Sequence, residues 1–260
     1  DGTAEIIISG GNISGGRNDS RVKGRHGGNI VTATKTTVQM SGGTISGGVN
    51  PTGAGGNLNL NGTMTMTGGQ IYGFHSALAA NQDCVPIYLQ GANDTGRAVF
   101  ILEGGEIHSN SAKSSGAAIK AVVSSTNPAT ENFSQIIIRG GKIWGNTSTT
   151  GGAVAATGDE IRLEGGVITG NTTVGGAVQI LNKCQVYLSG NPTITDNIGG
   201  NLYLSGDAII DLGVMTGGKV GISAAKSGRV ISTVQQTDPS AFVTSDNQEL
   251  RLNYQNNCLY

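Results

Sequence analysis

Phe100-Ile101-Leu102-Glu103-Gly104-Gly105-Glu106-Ile107 decides the fold, because its pattern returns along the whole chain. Two apolar residues alternate, a glycine pair follows, and an isoleucine comes two places on. The phrase also reads Ile6-x-Ile8-x-Gly10-Gly11-x-Ile13, Val38-x-Met40-x-Gly42-Gly43-x-Ile45 and Met64-x-Met66-x-Gly68-Gly69-x-Ile71. It continues at Ile136/Ile138 with Gly140-Gly141 and Ile143, and at Ile161/Leu163 with Gly165-Gly166 and Ile168. Degenerate copies that keep one glycine are read at Leu188-Ser189-Gly190 and Leu204-Ser205-Gly206. Self-similarity at a period of roughly 20 to 50 residues marks a stacked repeat architecture.

Period-two alternation sends the two apolar residues of each phrase to one side of a strand and their neighbours to the other. The isoleucine after the bend then opens a second short strand. A third element stands between phrases, at Gly27-Gly28-Asn29-Ile30, Gly55-Gly56-Asn57-Leu58, Gly116-Ala117-Ala118-Ile119, Gly151-Gly152-Ala153-Val154, Gly175-Gly176-Ala177-Val178 and Gly199-Gly200-Asn201-Leu202. Three strands per coil with glycine at the corners predict an all-β parallel β-helix, or β-solenoid, of about eight coils. The tightest coils take 25 residues, from Gly140 to Gly165 and on to Gly190, and longer ones carry insertions at 17–26, 50–52, 81–98 and 121–134. From Gly213 the phrase is lost while strand character persists. Residues 1–212 are therefore read as the helix and 213–260 as a C-terminal capping β segment of the same domain, since a solenoid must cover its open end.

Composition agrees. Forty-four glycines against five prolines in 260 residues, without a G-X-Y period, place glycine at recurrent bends and exclude collagen. The net charge of −1, from 16 basic and 17 acidic residues, leaves no general field for nucleic acid. No apolar run approaches the roughly 18 residues of a membrane span, so this segment is not expected to insert into a membrane. Asp1-Gly2-Thr3 carries no signal region, and the segment is expected to belong to a larger chain. Cys84, Cys184 and Cys258 have no metal spacing and are read as buried or isolated thiols, with one disulfide open but unassigned.

The corner Ile168-Thr169-Gly170-Asn171 through Gly175-Gly176-Ala177-Val178 resembles the repeats of polymorphic outer-membrane proteins, which pair a GGA[I/L/V] element with an FxxN element. Ile143-Trp144-Gly145-Asn146 through Gly151-Gly152-Ala153-Val154 is similar, with Ile in place of Phe, and a weaker copy runs from Ile107 through Asn110 to Ala117-Ala118-Ile119. From Asn201-Leu202-Tyr203-Leu204 onward the chain is also similar to the ends of β-helical regions in large bacterial cell-surface proteins. The resemblance implies a right-handed helix, an extracellular or cell-surface bacterial location and a role in adhesion.

If each isoleucine after the glycine pair faces inward, the next residue faces solvent, and its coil-to-coil series is Ser14, Ser46, Tyr72, His108, Trp144, Thr169. Three rings are thereby expected on adjacent coils. Gln70, Glu106 and Lys142 face outward beside them, and Glu103, Arg139 and Glu164 form another outward column. Aromatic side chains flanked by hydrogen-bonding groups suit a carbohydrate, whose apolar face packs on rings while polar groups hold its hydroxyls. Tyr72, His108, Trp144, Gln70, Glu106, Lys142, Glu103 and Arg139 are therefore the candidate glycan-binding residues, for a host or microbial glycan or surface protein. The competing reading is a cross-strand ladder that only stabilises neighbouring strands.

Two other functions stay open, a polysaccharide lyase or glycoside hydrolase and a stalk without a ligand. Glu103 with Glu106, or Glu103 with Glu164, offers a carboxylate pair. Arg139 and Lys142 more simply neutralise these groups as ion pairs. Asn146, Asn171 and Asn197 recur at one corner and are expected to form an internal asparagine ladder. The calcium nonapeptide of toxin repeats and a phosphate-binding loop are both absent, and no cofactor is expected.

Overall fold

The computed structural model describes residues 3–18, 27–50, 55–76, 84–91, 97–123, 134–181, 184–206, 208–225, 232–234, 239–246, 254–255 and 258–259. Of the expected insertions, 19–26, 51–52, 81–83, 92–96 and 124–133 lie outside them, as do the expected cap strands at 229–231 and 250–252; the expected loop over 81–98 is corrected, because Ile87–Gly91 within it is a strand that pairs with Leu58–Leu60 and Ile119–Val123. The described residues are all-β, without a helix, and form long parallel sheets of the β-solenoid type.

Three columns of strands run along the axis. The first stacks Ala4–Ile8, Thr36–Met40, Thr63–Met66, Val99–Leu102, Gln135–Ile138, Glu160–Leu163, Gln185–Gly190, Ile210–Met215 and Ser232–Val234, all parallel. The second stacks Asn12–Ser14, Thr44–Ser46, Gln70–Tyr72, Glu106–His108, Lys142–Trp144, Val167–Thr169 and Thr193–Ile194, and the third runs from Ile30–Val31 through Leu58–Leu60, Ile87–Gly91, Ile119–Val123, Val154–Thr157 and Val178–Leu181 to Leu202–Leu204. A short ladder of Ser111–Ala112 on Thr147–Ser148 adds a fourth contact at the corner between the second and third columns.

The phrase supplies the core. Phe100 and Leu102 pair in register with Ile136 and Ile138, and these with Ile161 and Leu163. All six side chains are buried, and Ile107, Ile143 and Ile168 from the second column join them with Ile119, Val154 and Val178 from the third in one continuous cluster. A core fed from three sides by short apolar runs is thin, so modest hydrophobic content suffices.

The two glycines of each phrase serve different ends. The second has left-handed backbone, with φ of 81° at Gly105 and 68° at Gly141, which a side chain rarely tolerates. The first is required by the coil before it. A Cβ placed on Gly140 would lie 2.1 Å from the carbonyl oxygen of Glu103, and the equivalents at Gly42, Gly68, Gly104 and Gly165 would approach to 2.2–2.6 Å. Gly140→Ala should therefore force the coils apart at a backbone contact, at a cost of about 1–3 kcal/mol in urea unfolding. A change under about 0.5 kcal/mol, the size of an ordinary surface substitution, would show that the stack yields freely.

One copy of the phrase is corrected. Leu204-Ser205-Gly206 belongs to the third column, where Leu202–Leu204 pairs with Val178–Leu181. The next first-column strand carries Ile210 and Leu212, in register with Val186 and Leu188. Its glycines come late, at Gly217-Gly218, because the register shifts between Leu188 and Gly190. Alternating leucines ending in a glycine occur at any corner, so the local pattern alone could not tell the columns apart.

Toward the C-terminus the topology changes. Lys219–Ala224 pairs both with Thr193–Ile194 of the second column and with Leu202–Leu204 of the third, joining the two columns into one sheet. The first column ends where Ser232–Val234 meets Cys258–Leu259 in antiparallel pairing. Ile210–Met215 is a single strand that runs across position 213.

Candidate functional site

The second column places the outward residues in the predicted order. Ser14 pairs with Ser46, Ser46 with Tyr72, Tyr72 with His108, His108 with Trp144, and Trp144 with Thr169. Parallel pairing without offset sets like positions one strand spacing apart, close to the thickness of two stacked rings. The Tyr72 and His108 rings are 5.2 Å apart at 1°, and those of His108 and Trp144 are 4.7 Å apart at 14°.

This geometry differs from a flat platform. The rings face one another, so His108 has both faces covered, by Tyr72 on one side and Trp144 on the other. One outward position per coil can stack rings only along the axis, never side by side.

Gln70, Glu106 and Lys142 form the flanking column in register. Trp144 Nε1 donates to Glu106 Oε2 at 3.4 Å, and Lys142 Nζ lies 5.2 Å from the centre of the Trp144 ring. Beyond the glycines, Arg139 bridges Glu103 at 3.5 Å and Glu164 at 2.9 Å. All three are solvent-accessible, so each ion pair contributes little to stability but fixes where charge is presented. Both carboxylates of the candidate hydrolase pair are thus engaged, Glu103 by Arg139 and Glu106 by Trp144.

His108 is the most constrained member. Its Nδ1 lies 3.0 Å from Ser109 Oγ, while Nε2 is buried without a hydrogen-bond partner, 4.0 Å from Glu106 Oε2. Burial lowers its pKa and Glu106 opposes the change, so the ring stays neutral near pH 7. Ser109 holds a left-handed φ of 52° where neighbouring coils place Gly73 and Gly145. A non-glycine residue at this conformation is strained, and strain collects at functional sites.

The asparagine ladder forms as expected and extends further. Amide Nδ2 donates to Oδ1 from Asn110 to Asn146 at 2.9 Å, from Asn146 to Asn171 at 3.0 Å and from Asn171 to Asn197 at 2.9 Å. It then crosses the corner from Asn197 to Asn201 at 2.8 Å and ends where Asn201 donates to Asp246 Oδ1 at 2.6 Å. In the earlier coils the corner residue is Gly16 or Gly48, and Asn29 and Asn57 fill the space from the far side, Asn29 donating to Asn57 at 3.0 Å. The signal was present in the sequence: where the near position is glycine the far one is asparagine, and where the near one is Asn110, Asn146 or Asn171 the far one is alanine.

A buried cluster that sequence reasoning missed lies at the entry to the first column, where Ser134, Asp159 and Cys184 precede strands in mutual register. Asp159 Oδ1 accepts from the Ser134 backbone N–H at 3.0 Å, but Asp159 Oδ2 and Ser134 Oγ have no partner. Desolvation raises the Asp159 carboxyl to about 7 despite that hydrogen bond. Cys184 is pushed up to about 12 by burial and by the nearby Asp159 charge, which makes it an inert thiol. Cys84 is also a free, buried thiol, and the Cys258 side chain lies outside the described residues. Among the described residues no group of three or more His, Cys, Asp or Glu side chains is placed to hold a metal ion. No protein-family model, curated protein or solved structure matches this chain.

Proposed function

We propose that this chain is a right-handed parallel β-helix of about eight coils with a C-terminal cap over 213–260, and that it serves a surface-exposed or secreted bacterial protein as a glycan-binding rod. The observation that carries the binding reading is the ring stack of Tyr72, His108 and Trp144, held beside the polar column of Gln70, Glu106 and Lys142 and next to the strained Ser109. The ligand lies along the axis. Its apolar edge meets the ring edges, and its hydroxyls meet Gln70, Glu106, Lys142 and the Glu103–Arg139 pair. The likeness of the Gly-Gly-Ala-Val corners to outer-membrane repeats supports the location and the adhesive role.

A glycan array followed by titration calorimetry tests this reading. Trp144→Ala should weaken the best glycan at least tenfold, a loss of about 1.4 kcal/mol. It should also lower the melting temperature by only a few degrees, because a stacked aromatic pair contributes about 0.5–1.5 kcal/mol to folding. Trp144→Phe keeps a ring and should retain most of both. Undiminished binding by the alanine variant would remove the stack from the site, and an array without any bound glycan would leave a stalk.

A further inference from the structure

The geometry points to an activity at the ring stack, the hydrolysis of acyl esters carried on a carbohydrate, with Ser109 as nucleophile, His108 as general base and Glu106 as the residue that positions the base. The carbohydrate part rests on the glycan-binding reading, whereas the ester chemistry stands on the three side chains alone.

Ser109 is set apart by its backbone. The residue after the outward position is Gly15, Gly47, Gly73, Gly145 or Gly170 on other coils, each left-handed with φ of 57° to 68°, and Ser109 keeps that conformation at 52° with a side chain attached. Asp196 departs from glycine too, but aspartate tolerates this region better than serine does. Glycine would fold at Ser109 with less strain, so what serine adds is a hydroxyl at an exposed corner. A strained turn that presents a serine hydroxyl is a recurring way to expose a nucleophile.

The base is within reach. Ser109 Oγ lies 3.0 Å from His108 Nδ1, a distance at which the hydroxyl donates to the imidazole. Acceptance at Nδ1 puts the ring proton on the buried Nε2, 4.0 Å from Glu106 Oε2, close enough for the carboxylate to stabilise an imidazolium. Trp144 Nε1 in turn anchors that carboxylate oxygen at 3.4 Å. Tyr72 and Trp144 cover both faces of the imidazole, which holds the ring in place. Burial keeps the ring neutral and able to take a proton near pH 7. The Ser109 backbone N–H donates to no backbone carbonyl among the described residues and can serve an oxyanion.

In the first half of the reaction Ser109 Oγ bonds to the acyl carbon, its proton passes to His108 Nδ1, and the carbonyl electron pair moves onto oxygen. Collapse of this oxyanion breaks the bond from the acyl carbon to the alcohol oxygen, which takes the proton from Nδ1 and leaves. Water then attacks the acyl-serine and gives one proton to Nδ1. The second collapse breaks the acyl bond to Oγ, returns that proton to Oγ and releases the carboxylic acid. Glu106 exchanges no proton, and its charge stabilises the imidazolium in both halves.

Two substrates test the proposal, p-nitrophenyl acetate, which carries no sugar, and acetylated xylan, alongside labelling by a fluorophosphonate. The parent should hydrolyse both esters and take the label on Ser109. Ser109→Gly should abolish labelling and lower kcat/KM by about 100-fold or more. The same variant should raise the melting temperature by about 2–4 °C, because it relieves the left-handed residue, so lost activity cannot be lost folding. Glu106→Gln should lower kcat about tenfold with KM unchanged. It should also move the acid limb of the kcat profile to lower pH, because it removes the carboxylate that raises the His108 pKa. Tyr72 and Lys142, the titratable side chains on the flanking coils, are unaltered in that variant. No hydrolysis above buffer, or hydrolysis that Ser109→Gly leaves intact, overturns the proposal, and glycan binding on the array would then stand without turnover. Hydrolysis of p-nitrophenyl acetate without release of acetate from xylan would overturn the carbohydrate substrate and support the ester chemistry.

Discussion

Asn171→Ala should destabilise the protein by about 4 kcal/mol in urea unfolding, because it cuts the asparagine ladder where no water can replace it. Asn171 is fully buried. Its Nδ2 serves the carbonyls of Ile143 at 3.1 Å and Thr169 at 3.2 Å as well as Asn197, and its Oδ1 accepts from both the backbone and the side chain of Asn146. Truncation leaves several of these groups unpaired in the interior, at about 1–3 kcal/mol for each that finds no substitute. The amides are all oriented the same way, so each polarises the next and the loss spreads along the axis. Asp246→Ala should cost less, since it removes only the final acceptor from a part-buried site that water can reach. A cost below about 1 kcal/mol for Asn171→Ala would mean that the ladder is replaceable.

Asp159 should make the protein less stable as pH rises from about 4 to about 7. The folded carboxyl is raised to about 7 by burial, whereas the unfolded one ionises near the usual value of about 4. Stability is thus fully present below about pH 4, falls as the unfolded state alone loses its proton, and levels off once the folded group has also ionised. The gap corresponds to about 4 kcal/mol as an upper bound. Asp159→Asn should remove this slope and melt higher than the parent at pH 8. Its amide keeps the acceptor for the Ser134 N–H and places an uncharged donor where Oδ2 now has no partner. His108 works in the opposite sense, because its lowered pKa costs stability as pH falls below its ordinary value near 6.5. The difference between parent and variant therefore isolates Asp159. Equal pH profiles for the two would show that Asp159 is solvated and ionised throughout.

Much of the repeat and its surface could be read from the chain because β-structure has a period of two and the coils stack without offset. Aligning the glycine pairs was enough to place Tyr72, His108 and Trp144 on one column, and Asn146, Asn171 and Asn197 on another. Leu204-Ser205-Gly206 carries the same local pattern in a different column. A strand of the third column can imitate the phrase, and only its pairing with Val178–Leu181 identifies it. Ser134, Asp159 and Cys184 share no residue type, so nothing marked them as one buried column. Asn201 and Asp246 are 45 residues apart, and no repeat relates them.

The sequence by itself determined the all-β repeat, the inward residues and the order of the outward ones, because these depend on local periodicity and on spacing between like positions. Tertiary structure decided how the rings meet, which buried groups lack partners, where the asparagine ladder ends and why each first glycine is required. Those properties arise between coils, from distances of 2–5 Å across contacts that no local pattern encodes.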